Sequence, residues 1–386
     1  MPDQVPVFVP ATGIHTVKAV VDALDLGWLG MGATTQLFER RIGEYLGAIG
    51  RPVLATNTGT SALHLALLVA GVQPGDEVIV ASFNYVADLQ AITAIGAEPV
   101  FCDIREDNLG FDVDRVAEMI GPRTKAILPL HFAGIPCDIA GIYELARAHN
   151  LRVIEDATHA FGTSINGTKI GAEGDLVCFS FDPVKVITAI DGGAVVCNSA
   201  EELDRLQHFR FLGVDKDTAE RYKNQRSWEY DVVSQGFRYH LTNINASIGL
   251  SQLDRIDGFI ASRRQTCREY NAAFRELDGI AVPQTDFDEV SPFIYFVRVP
   301  SDERLTFIDF LRARGVQTGI HFLPAHTFTY YRDRRRGPLP VTEKVASEIV
   351  TLPLHSHMPT ALSNQVIEAV REFARTRRPV GARSRP

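Results

Sequence analysis

The sequence predicts an α/β fold: a large domain built on a mainly parallel sheet of seven strands flanked by helices, followed by a smaller α+β C-terminal domain. Two observations predict it. Between residues 53 and 157 short β-branched runs alternate with longer stretches of helical period, the signature of crossover units that feed a parallel sheet. Beyond about residue 250 the pattern changes to long helical stretches followed by short strands. A chain of 386 residues with 45% apolar content can bury at least one large core, and nothing in it repeats internally.

Taken in order, the strand candidates are 52–55, 77–81, 99–103, 126–130 and 151–154. Helical stretches at 61–70, 86–95 and 139–149 lie between them, each long enough to carry the chain back across a sheet. Runs at 176–181 and 194–197 add two strands, joined by a loop that holds Lys185 and Gly192-Gly193. Right-handed crossovers would set the C-terminal ends of the strands along one edge, where open α/β sheets bind their ligands. Long helices over 252–277 and then short strands near 295–299 open the smaller domain. The domain division is therefore 1–250, including an N-terminal arm, and 251–376. A tail at 377–386, rich in Arg, Pro, Gly and Ser, is expected to be disordered.

Composition excludes some functions. A net charge of −8 argues against a protein that grips nucleic acid, so a phosphorylated ligand would need a local basic site. No window approaches the apolar length of a spanning helix, and the first ten residues lack an export signal, so a cytoplasmic protein without a membrane partner is expected. The five cysteines, at 102, 137, 178, 197 and 267, form no close pairs and signal neither disulfides nor a metal site.

Certain residues fall where that edge would be. Taken alone, Lys185 reads as a surface charge. Its place after a strand and the turn Asp182-Pro183-Val184, and before Asp191-Gly192-Gly193, would project its amine into the crevice. A lysine that forms a Schiff base needs such a desolvated setting, because its free amine must exist near neutral pH. Asp156, at the end of an apolar strand, reads either as a cap or as the carboxylate that keeps the pyridine nitrogen of pyridoxal phosphate (PLP) protonated. The turn Asn57-Thr58-Gly59-Thr60-Ser61 enters a helix, and its free amides suit a phosphate, with Gly59 permitting close approach. Ser180, just before Lys185, could add a hydroxyl.

These segments resemble the DegT/DnrJ/EryC1/StrS family of PLP-dependent sugar aminotransferases, of fold-type I, over nearly the whole chain. Matching stretches include Gly27-Trp28-Leu29 with Phe38-Glu39, the run from Gly59 to His64, Glu155-Asp156-Ala157, Ser180-Phe181 through Lys185, and Leu339 to Lys344. The resemblance implies that Lys185 is the catalytic lysine that carries PLP and that Asp156 pairs with the pyridinium. It implies that His159 meets the phenolic oxygen, that Tyr85 stacks on the ring, and that Gly59, Thr60 and Ser180 bind the phosphate. It further implies a homodimer with shared active sites, L-glutamate as amino donor and a nucleotide-linked keto sugar as acceptor, most readily a 4-keto-6-deoxyhexose or a 4-keto pentose.

Arg221 and Tyr222, in a cationic, aromatic segment that continues through Lys223, Arg226, Trp228 and Tyr230, are substrate-binding candidates; the resemblance implies Trp28, His321 and His326 as well. Two departures stand out. Arg238 occupies the place of an Asn that in the family reaches the neighbouring subunit's cofactor, so it serves either that phosphate or the substrate's diphosphate. Ile190-Asp191 replaces Gly-Glu, which keeps the acid and stiffens the loop. A PLP-dependent sugar dehydratase is the nearest alternative, expected to carry His where Lys185 stands; a non-catalytic PLP-binding regulator is the other.

Overall fold

In the computed structural model, which describes residues 4–215 and 230–377, the β-branched runs become seven strands of one sheet. They are β1 (Val53–Thr56), β2 (Glu77–Ala81), β3 (Glu98–Cys102), β4 (Thr124–Leu128), β5 (Arg152–Asp156), β8 (Leu176–Ser180) and β9 (Gly193–Val196). A small hairpin, β6 (Ser164–Ile165) and β7 (Thr168–Lys169), lies between β5 and β8. The spatial order is β1-β9-β8-β5-β4-β2-β3, parallel from β8 across to β3. Expected strand bounds move by two residues or fewer, and β5 now ends on Asp156 itself.

Strand β9 is antiparallel to both its neighbours. Its first residue, Gly193, therefore pairs with the last residues of β1 and β8, Thr56 and Ser180. A side chain at Gly193 would sit 2.4 Å from the Thr58 carbonyl oxygen, so the close approach of three strand ends demands glycine there.

Helices α3 (Gly59–Val69), α4 (Val86–Ala94), α5 (Val113–Met119) and α6 (Ile139–His149) return the chain between parallel strands. Oxygen-bearing caps fix several starts: Thr58 accepts from the Ser61 amide, Asp112 from Asp114 and Arg115, and Asp138 from Gly141. Helices α1 (Ile14–Asp25) and α2 (Ala33–Leu46) precede the sheet, and α7 (Ala200–Arg210) follows it.

The long helices expected over 252–277 are the end of one helix and the whole of a second. Thr242 caps a helix at Asn243–Leu253, the chain leaves helical geometry at Arg255, and a second helix runs Ile256–Phe274. Gln252 is held at the break, its amide donating to the Ala11 carbonyl at 2.9 Å. Further on, β10 (Tyr295–Arg298) pairs antiparallel with β11 (Ile349–Leu352), beside helices Arg304–Arg312 and Thr360–Thr376.

Strand alternation divides the core. Val78 and Val80 lie on one face of the sheet, in a cluster that includes Ala62, Leu63 and Ala66 of α3 and Leu89 and Ile92 of α4. Ile79 and Ala81 face the opposite way, and their cluster continues without interruption to Tyr295, Val350 and Phe373. Among the described residues no helix is long and apolar enough to cross a membrane, and all five cysteines are buried thiols.

Candidate active site

The C-terminal ends of β1, β2, β5 and β8 open into a cavity of about 400 Å³ whose lining includes Gly59, Tyr85, Asp156, His159, Lys185 and His321. Lys185 stands on a loop closed at its base by the Phe181 amide bonded to Gly192 O and the Ala189 amide bonded to Phe181 O. Asp182 makes the turn, accepting from the Val184 amide through its side chain and from the Lys185 amide through its carbonyl. The lysine amine lies 4.1 Å from the centre of the Phe293 ring. Burial pulls its pKa down to about 8, while the carboxylates of Asp156, Asp182 and Asp88 pull the other way. A usable fraction of free amine therefore exists near neutral pH.

Asp156 is buried at the end of β5, and its Oδ1 accepts the Thr158 amide at 2.9 Å. Burial raises its pKa; the Thr158 contacts and the Lys185 charge favour its anion. His159 packs against Phe293, with ring centroids 4.4 Å apart, and stacks on Phe322 at 5.9 Å. Burial, then the charges of Lys185 and His321, hold its pKa well below the ordinary value, so the ring is neutral. Its Nδ1 is buried without a partner in the chain. His321, bonded to Thr351 at 2.8 Å, is likewise held neutral by burial and by Lys185, with a pKa near 4.

At the start of α3 the first-turn amides have no intrahelical acceptor, and Thr58 satisfies only that of Ser61. Gly59 and Ser180 close against each other: a Cβ on Gly59 would lie 2.7 Å from that of Ser180. Any larger residue at 59 would fill the cup between the helix end and the serine. Tyr85 caps α4 with its ring 5.7 Å from Phe322 and more than half exposed. An amine with a lowered pKa, a buried carboxylate, a partnerless imidazole nitrogen and an open helix N-terminus together fit PLP, with its aldehyde, pyridine nitrogen, phenolic oxygen and phosphate.

Not every expected residue reaches this cavity. His326 is buried against Ser82 (2.7 Å) with Glu343 at 3.5 Å, and does not line it. Trp28 lies on the surface with its indole N–H on the Met31 carbonyl. Arg238 forms a backbone bridge with Phe211 and does not line the cavity. Arg221, Tyr222, Lys223, Arg226 and Trp228 lie outside the described residues. Tyr230 is exposed.

The structure adds residues that the sequence did not single out. Phe8, from the N-terminal arm, stacks on Phe293 at 5.8 Å, and Phe293 and Phe322 line the cavity with it. Arg263, fully buried in helix Ile256–Phe274, donates to the carbonyls of Pro292 and Phe293 and so fixes that segment. Asp88, on α4, also lines the cavity. An acid in an otherwise apolar helical turn was the available signal, though helix starts favour acids for their own reasons.

A model of the DegT/DnrJ/EryC1/StrS aminotransferase family matches residues 11–371. The chain is 32% identical to the uncharacterized protein MJ1066 of Methanocaldococcus jannaschii, over 95% of this chain and 97% of that one. It superposes on the aminotransferase TlmJ from Streptoalloteichus hindustanus with a TM-score of 0.88 and 33% identity, covering 96% and 98% of the two chains. The sugar aminotransferase CalS13 from Micromonospora echinospora gives 0.87 and 27%, covering 96% and 100%. The chain thus belongs to the DegT/DnrJ/EryC1/StrS aminotransferase family, whose enzymes work with PLP, and has their fold-type I architecture.

Proposed function

We propose that this aminotransferase carries PLP on Lys185 and moves the amino group of L-glutamate onto a nucleotide-linked keto sugar, most readily a 4-keto-6-deoxyhexose or a 4-keto pentose. The observation that carries the reading is the Lys185 amine, its pKa lowered to about 8, set in one cavity with the buried Asp156. PLP, when bound, supplies an electron sink through which an amino group leaves a donor and joins a carbonyl carbon. The chain supplies the rest. Lys185 Nζ takes up and redelivers the migrating proton. Asp156 holds the pyridine nitrogen, His159 offers its partnerless Nδ1 to the phenolic oxygen, and the amides of Gly59 and Thr60 with the Ser180 hydroxyl hold the phosphate. Tyr85 covers the ring, and His321 borders the space left for the sugar.

The likeness to CalS13, a sugar aminotransferase, supports the acceptor class. A homodimer is part of the reading, for two reasons. On α1, Ile14, Val17, Val21 and Leu24 fall at helical spacing and are each about half exposed or more, an apolar stripe that a second copy would cover. Arg238 is exposed and does not line its own cavity, which leaves it for a neighbour's phosphate.

The test is a two-stage reaction. Protein loaded with PLP is mixed with glutamate, and 2-oxoglutarate is measured; dTDP- or UDP-linked 4-keto sugars are then added and the product is weighed by mass spectrometry. One amino-sugar nucleotide per 2-oxoglutarate is expected, and none from Lys185→Ala. Release of 2-oxoglutarate with no keto sugar aminated would overturn the acceptor, and loss of oxygen from the sugar without amination would make the enzyme a dehydratase.

A further inference from the structure

Asp88 and Asp156 are both buried and line the same cavity, side by side closely enough that each acts on the other's protonation. Two carboxylates in contact cannot both ionise at ordinary cost, so the pair shares a proton. The surroundings decide where it rests. Asp156 receives the Thr158 amide and faces the Lys185 amine. Asp88 receives one donor, Asn84 Nδ2, at 2.5 Å on Oδ2. The Tyr85 amide donates to Asn84 Oδ1 at 2.6 Å, which fixes the orientation of that amide. One oxygen of Asp88 therefore accepts, and the other is left to carry the proton. Burial first, then Asp156, pushes Asp88 far above the carboxylate range, in the same sense. The Cys178 thiol beside the pair is raised by burial and by Asp156, Asp88 and Glu155, and stays neutral.

We propose that Asp88 is a positioning residue: it holds the proton of the pair, donates it as a hydrogen bond to Asp156, and keeps Asp156 anionic for the pyridine nitrogen of PLP. The inference rests on the reading of Lys185 and Asp156 given above. It explains why a second acid is tolerated at 1% exposure beside the first.

The test compares Asp88→Asn, Asp88→Ala and Asp88→Leu. In Asp88→Asn the fixed Asn84 amide forces the new side chain to present its oxygen to Asn84 and its N–H to Asp156, so donation survives without a titratable proton. Ala and Leu remove the donor, and Leu keeps the volume. Three quantities are read: the PLP dissociation constant by titration of the apoprotein, the midpoint of the bound cofactor's absorbance against pH, and apoprotein unfolding. We expect PLP binding to weaken on the order of tenfold in Ala and Leu, as for loss of a hydrogen bond to a charged group. The absorbance midpoint moves with it, and Asn restores both. An Asn variant as impaired as Leu overturns the proposal, because charge rather than donation would then matter. So do Ala and Leu variants that bind PLP like the wild type. A wild-type protein whose PLP absorbance is unchanged by Lys185→Ala overturns instead the reading of the site beneath it.

Discussion

Glu155 and Asp156 are consecutive residues of one strand, each 4% exposed, and their surroundings differ completely. Strand alternation sends them to opposite faces of the sheet. Glu155 enters a closed network: it accepts from the Tyr143 hydroxyl at 2.6 Å and from His131 Nε2 at 3.0 Å, while His131 Nδ1 accepts the Cys137 amide. Tyr143 in turn accepts the Asp175 amide. Every polar group there is answered from within the chain. Asp156 opens onto a cavity with an enclosed amine, a second acid and a histidine nitrogen without a partner. Buried polarity by itself marks neither structure nor function; what sets Asp156 apart from Glu155 is a cavity shared with Lys185 and with a histidine nitrogen that has no partner.

The contrast can be broken from either side. Lys185→Ala should lower turnover by roughly four orders of magnitude, since both the covalent anchor and the proton carrier disappear; steady-state kinetics on PLP-loaded protein measure it. Asp156→Asn should reduce turnover on the order of a hundredfold or more with apoprotein stability nearly unchanged, because the Thr158 contact survives on the amide oxygen and the cost of a buried charge is removed. Glu155→Ala should do the reverse. Leaving His131 and Tyr143 unsatisfied costs about 3 kcal/mol in urea unfolding, and PLP absorbance in the folded fraction stays as it was. Equal stability losses for the two acids would erase the distinction.

A pH experiment sharpens it. Burial lowers the Lys185 amine from 10.5 to about 8, so its reactive neutral form grows as pH rises. Capture of PLP by the apoprotein should quicken about tenfold per unit up to pH 8 and then level off. A rate still climbing toward pH 10 would mean an exposed lysine. The smallest effect is expected at Ile190, a half-exposed β-branched residue at φ +68 in the loop that carries Lys185. Ile190→Gly should stabilise the protein by about 1 kcal/mol in thermal unfolding, the relief of left-handed strain exceeding the entropy glycine adds to the unfolded chain.

What the sequence disclosed was local. Lys185, Asp156 and the turn around Gly59 lie at strand ends, and a strand pattern locates its own end. Asp88 escaped notice because helix period says which face is buried and says nothing about which acid sits opposite. Phe293 and Phe8 escaped because their role is created by a contact between chain segments far apart. The break at Arg255 was hidden by apolar spacing that continues through both helices. His326 shows the converse: its segment borders the site, and Ser82 holds the ring elsewhere.

The floor beneath the lysine has a consequence for how the enzyme is made. Phe293, fixed by Arg263 and stacked on Phe8, encloses an amine that belongs to residue 185. A ribosome delivers the lysine, the phosphate turn and the carboxylate more than a hundred residues before it delivers that ring. The enclosure that lowers the pKa of this lysine is therefore complete only once the chain's last third has been made.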